Sequence, residues 1–124
     1  MQNDIEIYLH RTSPERVCEW LATVFGIPPE RLKSSAGKGT QAYRIVQGGQ
    51  SIPVLMIVQG TWTSVWFNSA RTPWASDLAC AQSAALQLAA RVRCTDGGWQ
   101  EGDDPDQFLE VTTDHVKAIL WHDE

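Results

Sequence analysis

The sequence predicts an α+β domain with a mainly antiparallel sheet and two main helices. Three observations support this prediction: the N-terminal residues alternate between apolar and polar, two segments repeat apolar residues every three or four positions, and short apolar runs are separated by glycine turns. Few strands and helices alternate, which argues against a doubly wound sheet. At 124 residues we expect a single domain over residues 1–124, with the element order β-α-β-β-β-α-β-β-β.

The first strand and the first helix follow each other closely. Residues 4–10 place isoleucine and leucine at every second position, which is typical of a strand with one buried face. Ser13 can cap a helix and Pro14 suits the first helical position, while Gly26 supplies a stop. The apolar stripe of this helix is Val17, Trp20, Leu21, Val24 and Phe25.

The middle of the chain predicts an antiparallel meander. Residues 29–32 can add a short helical turn, and residues 33–40 (KSSAGKGT) are too polar and glycine-rich to pack, so we expect a loop there. Glycines at the following two turns permit the positive φ angles that tight hairpins need. The three expected strands cover residues 42–47, 52–59 and 62–68.

The second helix is expected from Ser76 and Asp77 to Ala90, because a serine cap precedes a run rich in alanine and leucine. Residues 92–94 indicate a short strand. The C-terminal part has two interpretations: a hairpin of residues 108–112 and 116–121, or a strand followed by a helix from residue 114. We favour the hairpin.

Composition points to an ordered cytoplasmic protein. The acidic N-terminus lacks the basic region of a signal peptide, and the longest apolar run, residues 52–58, is too short to span a membrane. Cys18, Cys80 and Cys94 have spacings typical of neither a redox pair nor a zinc site, so we expect reduced thiols. A bridge between the last two would be conceivable only in a secreted protein.

Charge is distributed unevenly along the chain. Residues 1–94 carry nine basic against six acidic residues, a balance of +3, whereas residues 95–124 carry one against nine, a balance of −8. Such a negative segment repels nucleic acid and attracts a protein partner with a basic surface. Its acidic residues up to the predicted last hairpin are Asp96, Glu101, Asp103, Asp104 and Asp106.

Motifs for catalysis or metal binding are not fulfilled. Residues 36–40 (AGKGT) lack the leading glycine and the following hydroxyl residue of a phosphate-binding loop. His115 and His122 are not separated by a zinc-ligand spacing. Cys94, at a strand end, is the best candidate nucleophile, but no base is placed beside it by sequence. We therefore predict no catalytic residue, no metal ligand and no cofactor, and favour a non-enzymatic role.

The six tryptophans are candidate anchors of the core or of a protein interface, because large aromatic rings dominate the packing of both. Trp62 and Trp66 share one face of their strand, so if Val65 and Phe67 enter the core the two indoles are either exposed or covered by a partner. Helices on both sheet faces, which would bury the rings, are the alternative. Trp99 lies among carboxylates, which suits an anchor for a protein partner.

The second half of the chain resembles small bacterial immunity proteins, which neutralise toxins deployed against neighbouring cells. The resemblance covers residues 72–110 and implies a cytoplasmic α+β protein that binds a toxin without catalysis. It rests on residues 72–77 (TPWASD), Ala81, residues 92–94 (VRC), Gly98, Trp99 and residues 103–105 (DDP).

We therefore expect a non-enzymatic protein-binding domain, an immunity protein that covers a basic surface of its toxin. A small enzyme or ligand-binding domain, with a pocket between the sheet and residues 33–40, is the alternative, and self-association through an exposed strand edge is a further possibility. The residues expected to bind the partner are Trp99, Glu101, Asp103, Asp104, Asp106, Trp62 and Trp66.

Overall fold

A computed structural model describes residues 4–28, 32–37, 40–95 and 107–121. Within these ranges the helices are α1 (Pro14–Phe25) and α2 (Asp77–Leu88). The strands are β1 (Ile5–His10), β2 (Lys33–Gly37), β3 (Thr40–Gln47), β4 (Gln50–Gln59), β5 (Trp62–Phe67), β6 (Val92–Cys94), β7 (Gln107–Val111) and β8 (Val116–Leu120).

The described strands form one sheet in the order β2-β3-β4-β5-β1-β6-β7-β8, and every neighbouring pair is antiparallel. The α+β class and the predicted succession of helices and strands are confirmed. β1 lies between β5 and β6, so the first strand of the chain is central in the sheet.

The strand β2 corrects the expected loop at residues 33–40. Lys33–Gly37 pairs with β3, Lys33 lying opposite Arg44 and Gly37 opposite Thr40. Serine, alanine and glycine give this segment no apolar alternation, but backbone N–H and C=O groups can form a ladder with any side chain. Pairing with β3 therefore decides its conformation. The helical turn expected within residues 29–32 falls largely outside the described residues.

The C-terminal hairpin is confirmed, because β7 and β8 pair from Val111 opposite Val116 to Gln107 opposite Leu120. At its turn the Thr112 hydroxyl accepts hydrogen bonds from the backbone N–H groups of Asp114, at 3.1 Å, and His115, at 3.2 Å. The Thr112 side chain thereby satisfies two backbone donors of the hairpin turn.

Both helices have serine caps, as the sequence predicts. The Ser13 hydroxyl accepts the N–H of Arg16, and the Ser76 hydroxyl accepts that of Ala79. α1 ends at Gly26, whose φ of 63° is left-handed. α2 ends at Leu88 instead of the expected residue 90, because Ala89 turns left-handed, with φ 51°. No helix in the described ranges is long and apolar enough to cross a bilayer.

The two helices pack on the same face of the sheet. The core beneath them takes every second residue of the central strands, such as Ile7 of β1 and Val65 and Phe67 of β5. α1 and α2 are joined by the Trp20 indole, which donates to Ser83 Oγ at 3.2 Å. The alternate residues of the strands point to the opposite surface, here called the open face, which neither described helix covers.

Candidate binding site on the open face of the sheet

The charged, polar and aromatic side chains of the open face lie at the centre of the sheet, on the four adjacent strands β5, β1, β6 and β7. Antiparallel register fixes the composition, since residues that face one another across neighbouring strands project to the same side. The central side chains are Glu6, Tyr8 and His10 from β1, Trp62, Ser64 and Trp66 from β5, Arg93 from β6, and Phe108 and Glu110 from β7.

Four rings, Tyr8, Trp62, Phe108 and Trp121, form an aromatic cluster on this face. The Trp121 ring centroid lies 4.6 Å from that of Trp62, 5.2 Å from that of Phe108 and 5.3 Å from that of Tyr8. Its edge-to-face geometry with the last two is the arrangement that aromatic quadrupoles favour. Trp121 therefore joins β5, β1 and β7 across the open face.

Arg93 packs against two rings of this aromatic cluster. Its guanidinium carbon lies 4.6 Å from the ring centroid of Trp62 and 4.7 Å from that of Trp121. Such contacts combine cation–π attraction with stacking of the flat guanidinium. The same guanidinium donates to Glu110 Oε2 from Nε, at 3.3 Å, and from Nη2, at 3.1 Å. Rings and carboxylate together hold Arg93 in one position.

Glu110 is a buried carboxylate surrounded by two arginines, a lysine and a histidine. Only 6% of the residue is exposed, and besides Arg93 it lies 3.6 Å from Arg91, 3.5 Å from His115 and 3.9 Å from Lys117. Burial acts to raise the pKa of Glu110, but hydrogen bonds from Arg93 and His115 and the charges of the two arginines outweigh it and lower the pKa. Glu110 is therefore a structural anion.

Beside the aromatic cluster the open face contains a pocket of about 470 Å³. Glu6 is the charged residue among its lining residues. Partial burial is the largest contribution that raises the pKa of Glu6; a hydrogen bond with Tyr8 opposes it, and the negative charges of Asp77 and Asp4 add to it. The lining residues are Glu6, Tyr8, Ile57, Gln59, Gly60, Trp62, Ser64 and Trp121.

Tyr8 shares the environment of Glu6. Burial, the nearby Glu6 charge and a hydrogen bond to that carboxylate raise the pKa of Tyr8 to about 12. Its hydroxyl therefore keeps its proton at neutral pH. The pair presents a carboxylate and a hydroxyl side by side on the pocket wall, and the ion pairs formed among the described residues do not include Glu6.

The two tryptophans of β5 lie in different environments on this face. Trp62 is 6% exposed, and its buried Nε1–H has no hydrogen-bond acceptor among the described residues. Trp66 is half-buried, and its Nε1 donates to Asp4 Oδ2 at 2.7 Å. The unsatisfied Nε1–H of Trp62 lowers the free energy of unfolding by about 1–3 kcal/mol.

The predicted partner-binding residues are described only in part. Trp62 and Trp66 share the open face, while Val65 and Phe67 enter the core, as their alternation indicates. Trp62 is nevertheless buried, by side chains and not by a helix, since His10, Arg93 and Trp121 contact its ring. The other five predicted residues lie outside the described residues: Trp99, Glu101, Asp103, Asp104 and Asp106.

Sequence reasoning did not select Glu6, Tyr8, Arg93 or Glu110. The polar positions of the first strand were a signal for the first two, because alternation puts Glu6 and Tyr8 on the surface opposite the core. No local sequence pattern indicates the contact between Arg93 and Glu110, because this contact depends on the pairing of β6 with β7. Trp121 also lies in the pocket wall.

The thiols do not form a reactive site in the described structure. Cys80 and Cys94 are fully buried in the core beneath the helices. Burial raises the pKa of Cys80 well above its ordinary value, which disfavours the nucleophilic thiolate. Cys94, the best nucleophile candidate by sequence, is inaccessible. Within the described ranges no three His, Cys, Asp or Glu residues are grouped to hold a metal ion.

Comparison with known proteins identifies no relative: no family model matches the chain, and no curated protein or solved structure is significantly similar to it.

Proposed function

We propose that this chain is a protein-binding domain that accepts a basic side chain of its partner in the open-face pocket. The observation that carries the proposal is Glu6, a carboxylate with a raised pKa on an aromatic-walled pocket, outside the ion pairs of the described residues. A carboxylate beside indole rings is a standard arrangement for an ammonium or guanidinium group.

The internal contacts of the open face support this chemistry. Trp62 and Trp121 already stack on the guanidinium of Arg93, so the rings that line the pocket also bind a cation within the chain. The Arg93 guanidinium is bound by these two rings and by a carboxylate, since Glu110 accepts two hydrogen bonds from it. Glu6 provides the equivalent anion on the pocket wall.

The acidic segment supports a basic partner independently. It begins after Thr95, whose hydroxyl donates to Asp77 Oδ2 at 3.3 Å. Asp77 in turn is close enough to Glu6 to raise its pKa. Residues 95–124 carry a balance of −8, and negative charge on a binding protein accelerates its encounter with a basic partner.

Changing Glu6 to glutamine tests the pocket. The probe is a blocked hexapeptide with one arginine, compared with the same peptide carrying norleucine, titrated into the protein and followed by NMR chemical shifts of the indole N–H groups. We expect the arginine peptide to bind and Glu6→Gln to weaken it about tenfold or more, since a charge-assisted hydrogen bond contributes about 1.5–3 kcal/mol. Glu15→Gln on the exposed surface of α1 is the matched control.

The pH dependence of peptide binding gives a second measurement of the same group. The cation needs ionised Glu6, and its raised pKa means that binding declines on acidification at a higher pH than for an ordinary carboxyl group. Glu6→Gln should remove this dependence. Equal binding of the arginine and norleucine peptides would contradict the proposal.

Within this class we propose a cytoplasmic immunity protein whose partner is a toxin with a basic surface. The support is the resemblance over residues 72–110 and the acidic segment with Trp99. We expect the double change Asp103→Lys and Asp104→Lys to slow association with a toxin encoded beside this chain, measured by stopped flow at low salt, because rim charges act mainly on the association rate. An unchanged rate would exclude the segment from the interface.

A second candidate, a small enzyme or ligand-binding domain, is favoured by one observation. Glu6 and Tyr8 both have raised pKa values and line one pocket, and perturbed groups in a cleft are typical of ligand sites. Free arginine amide distinguishes the two: a small-ligand site binds it as tightly as the blocked peptide, whereas a protein-binding site favours the peptide.

A further inference from the structure

The edge strand β8 has exposed apolar side chains and a backbone edge that is unpaired in the described sheet. It is the last strand of the described sheet and pairs there with β7 alone. Val116 is 44% and Leu120 56% exposed, although the strand continues a sheet with a large core. The 73% exposed Leu86 of α2 lines one depression together with Val116. Exposed apolar side chains along an unpaired edge favour association with another strand.

The hairpin register determines which backbone groups of β8 are free to pair. The N–H of Thr112 donates to the carbonyl of His115 at 2.9 Å, so the pair of residues 112 and 115 is of the hydrogen-bonded type. Hydrogen-bonded and non-hydrogen-bonded pairs alternate along an antiparallel ladder. The backbone groups of Lys117 and Ile119 therefore point to β7, and those of Val116, Ala118 and Leu120 point away from the sheet.

We infer that β8 pairs with β8 of a second copy of this chain, antiparallel about a two-fold axis at Ala118. In this register Ala118 lies opposite Ala118 of the second copy, and Val116 lies opposite Leu120. The outward backbone groups of these residues then meet as hydrogen-bonded pairs. A self-complementary strand of this kind is what an isologous contact requires.

The side chains of β8 fit a second copy in this register. Lys117 lies opposite Ile119, so the two lysines do not face each other, and each Lys117 ammonium stays near its own Glu110, at 3.9 Å. Alanine at the centre lets the strands approach closely. β8 contains no proline, and its single charged residue, Lys117, lies beside Glu110 of its own chain, so one of the devices that usually prevent edge pairing is absent and the other is partly neutralised.

This dimer is independent of the pocket but affects its use. A two-fold axis perpendicular to the sheet joins the two sheets into one and puts both open faces on the same side. The two Glu6 pockets would then face a partner together, and a partner with two basic sites would gain from simultaneous binding.

Sedimentation equilibrium of the full chain over micromolar to roughly millimolar concentration tests the pairing. We expect a reversible dimer for the natural sequence, weak because a single strand pair buries little surface. Ala118→Pro removes one outward N–H and leaves the ladder to β7 intact, so it should abolish the dimer while the circular dichroism spectrum is retained. Ala118→Ser keeps the N–H and should keep the dimer.

Disulfide trapping tests the register. Ala118→Cys should form an intermolecular disulfide under mild oxidation, because residues opposite each other in a hydrogen-bonded pair have Cα atoms about 5.5 Å apart. Lys117→Cys should form far less, since its counterpart in the second copy is Ile119. A monomer at all concentrations, or equal trapping at both positions, would overturn the inference. Failure of the peptide titration would leave it standing, because Glu6 takes no part in the pairing.

Discussion

Replacing Glu110 by alanine is expected to lower the free energy of unfolding by about 3–5 kcal/mol. The reason is the charge that remains: the Arg93 side chain, only 14% exposed between two indoles, loses the carboxylate that accepts its two hydrogen bonds. A buried charge without its partner keeps the cost of desolvation and loses the compensation. Urea unfolding followed by far-ultraviolet circular dichroism measures the difference.

Two further variants separate the buried pair from the surrounding charges. Lys117→Ala removes a 58% exposed partner at 3.9 Å and should cost about 1 kcal/mol or less. Adding Arg93→Met to Glu110→Ala removes the orphaned charge and should restore part of the loss. If the double variant were as unstable as Glu110→Ala, the damage would come from lost packing and the electrostatic explanation would be wrong.

Acidification should reproduce part of this effect in the natural sequence. The pKa of Glu110 is lower in the folded protein than its ordinary value of 4.5. Its stabilisation is therefore complete above the pKa of the unfolded chain and is lost as pH falls through the folded value. The stability difference between the natural chain and Glu110→Ala should shrink over that same acidic range.

Phe67→Ala is expected to cost about 3–5 kcal/mol, the range for truncating a buried phenylalanine. Phe67 is fully buried at the end of β5, with ring centroids 6.4 Å from Trp20 of α1 and 5.2 Å from Trp74 ahead of α2. Truncation would leave a cavity where both helices meet the sheet. Thermal and urea unfolding should both show the loss.

The neighbouring residue on the open face is the matched control. Trp66→Phe removes the exposed hydrogen bond to Asp4 and keeps an aromatic ring, so a loss of about 1 kcal/mol or less is expected. The difference between the stability losses at positions 66 and 67 shows how much more tightly the core face is packed than the open face. Similar losses at both positions would mean that the open face is packed as tightly as the core.

Much of the fold could be predicted because its signals are local. Isoleucine and leucine at alternate positions identify β1, Ser13 and Ser76 identify the two helix starts, and glycines identify the turns before β4 and β5. β2 could not be predicted this way, since its small polar residues have no periodicity and its conformation depends on pairing with β3.

Only the side of the sheet on which the candidate site lies could be predicted from the sequence. Alternation in β5 put Trp62 and Trp66 on one side, but the pocket and the Arg93 site combine residues far apart in the chain. Arg93 meets Trp62 because β1 lies between β5 and β6, an order that no local pattern in the sequence indicates. Charge segregation identified the acidic segment that contains Glu110, but not the burial of this carboxylate or its pairing with Arg93.

The central place of β1 makes the two halves of the sheet depend on the strand that precedes all the other described strands in the chain. β2 to β5 form a continuous meander, and β6 to β8 follow α2, but in the described sheet the two groups are connected by strand pairing through β1. The pairs of β1 with β5 and with β6 join residues more than 50 positions apart in the chain, and contacts of such separation slow folding. β1 thus joins the two groups of strands into one sheet.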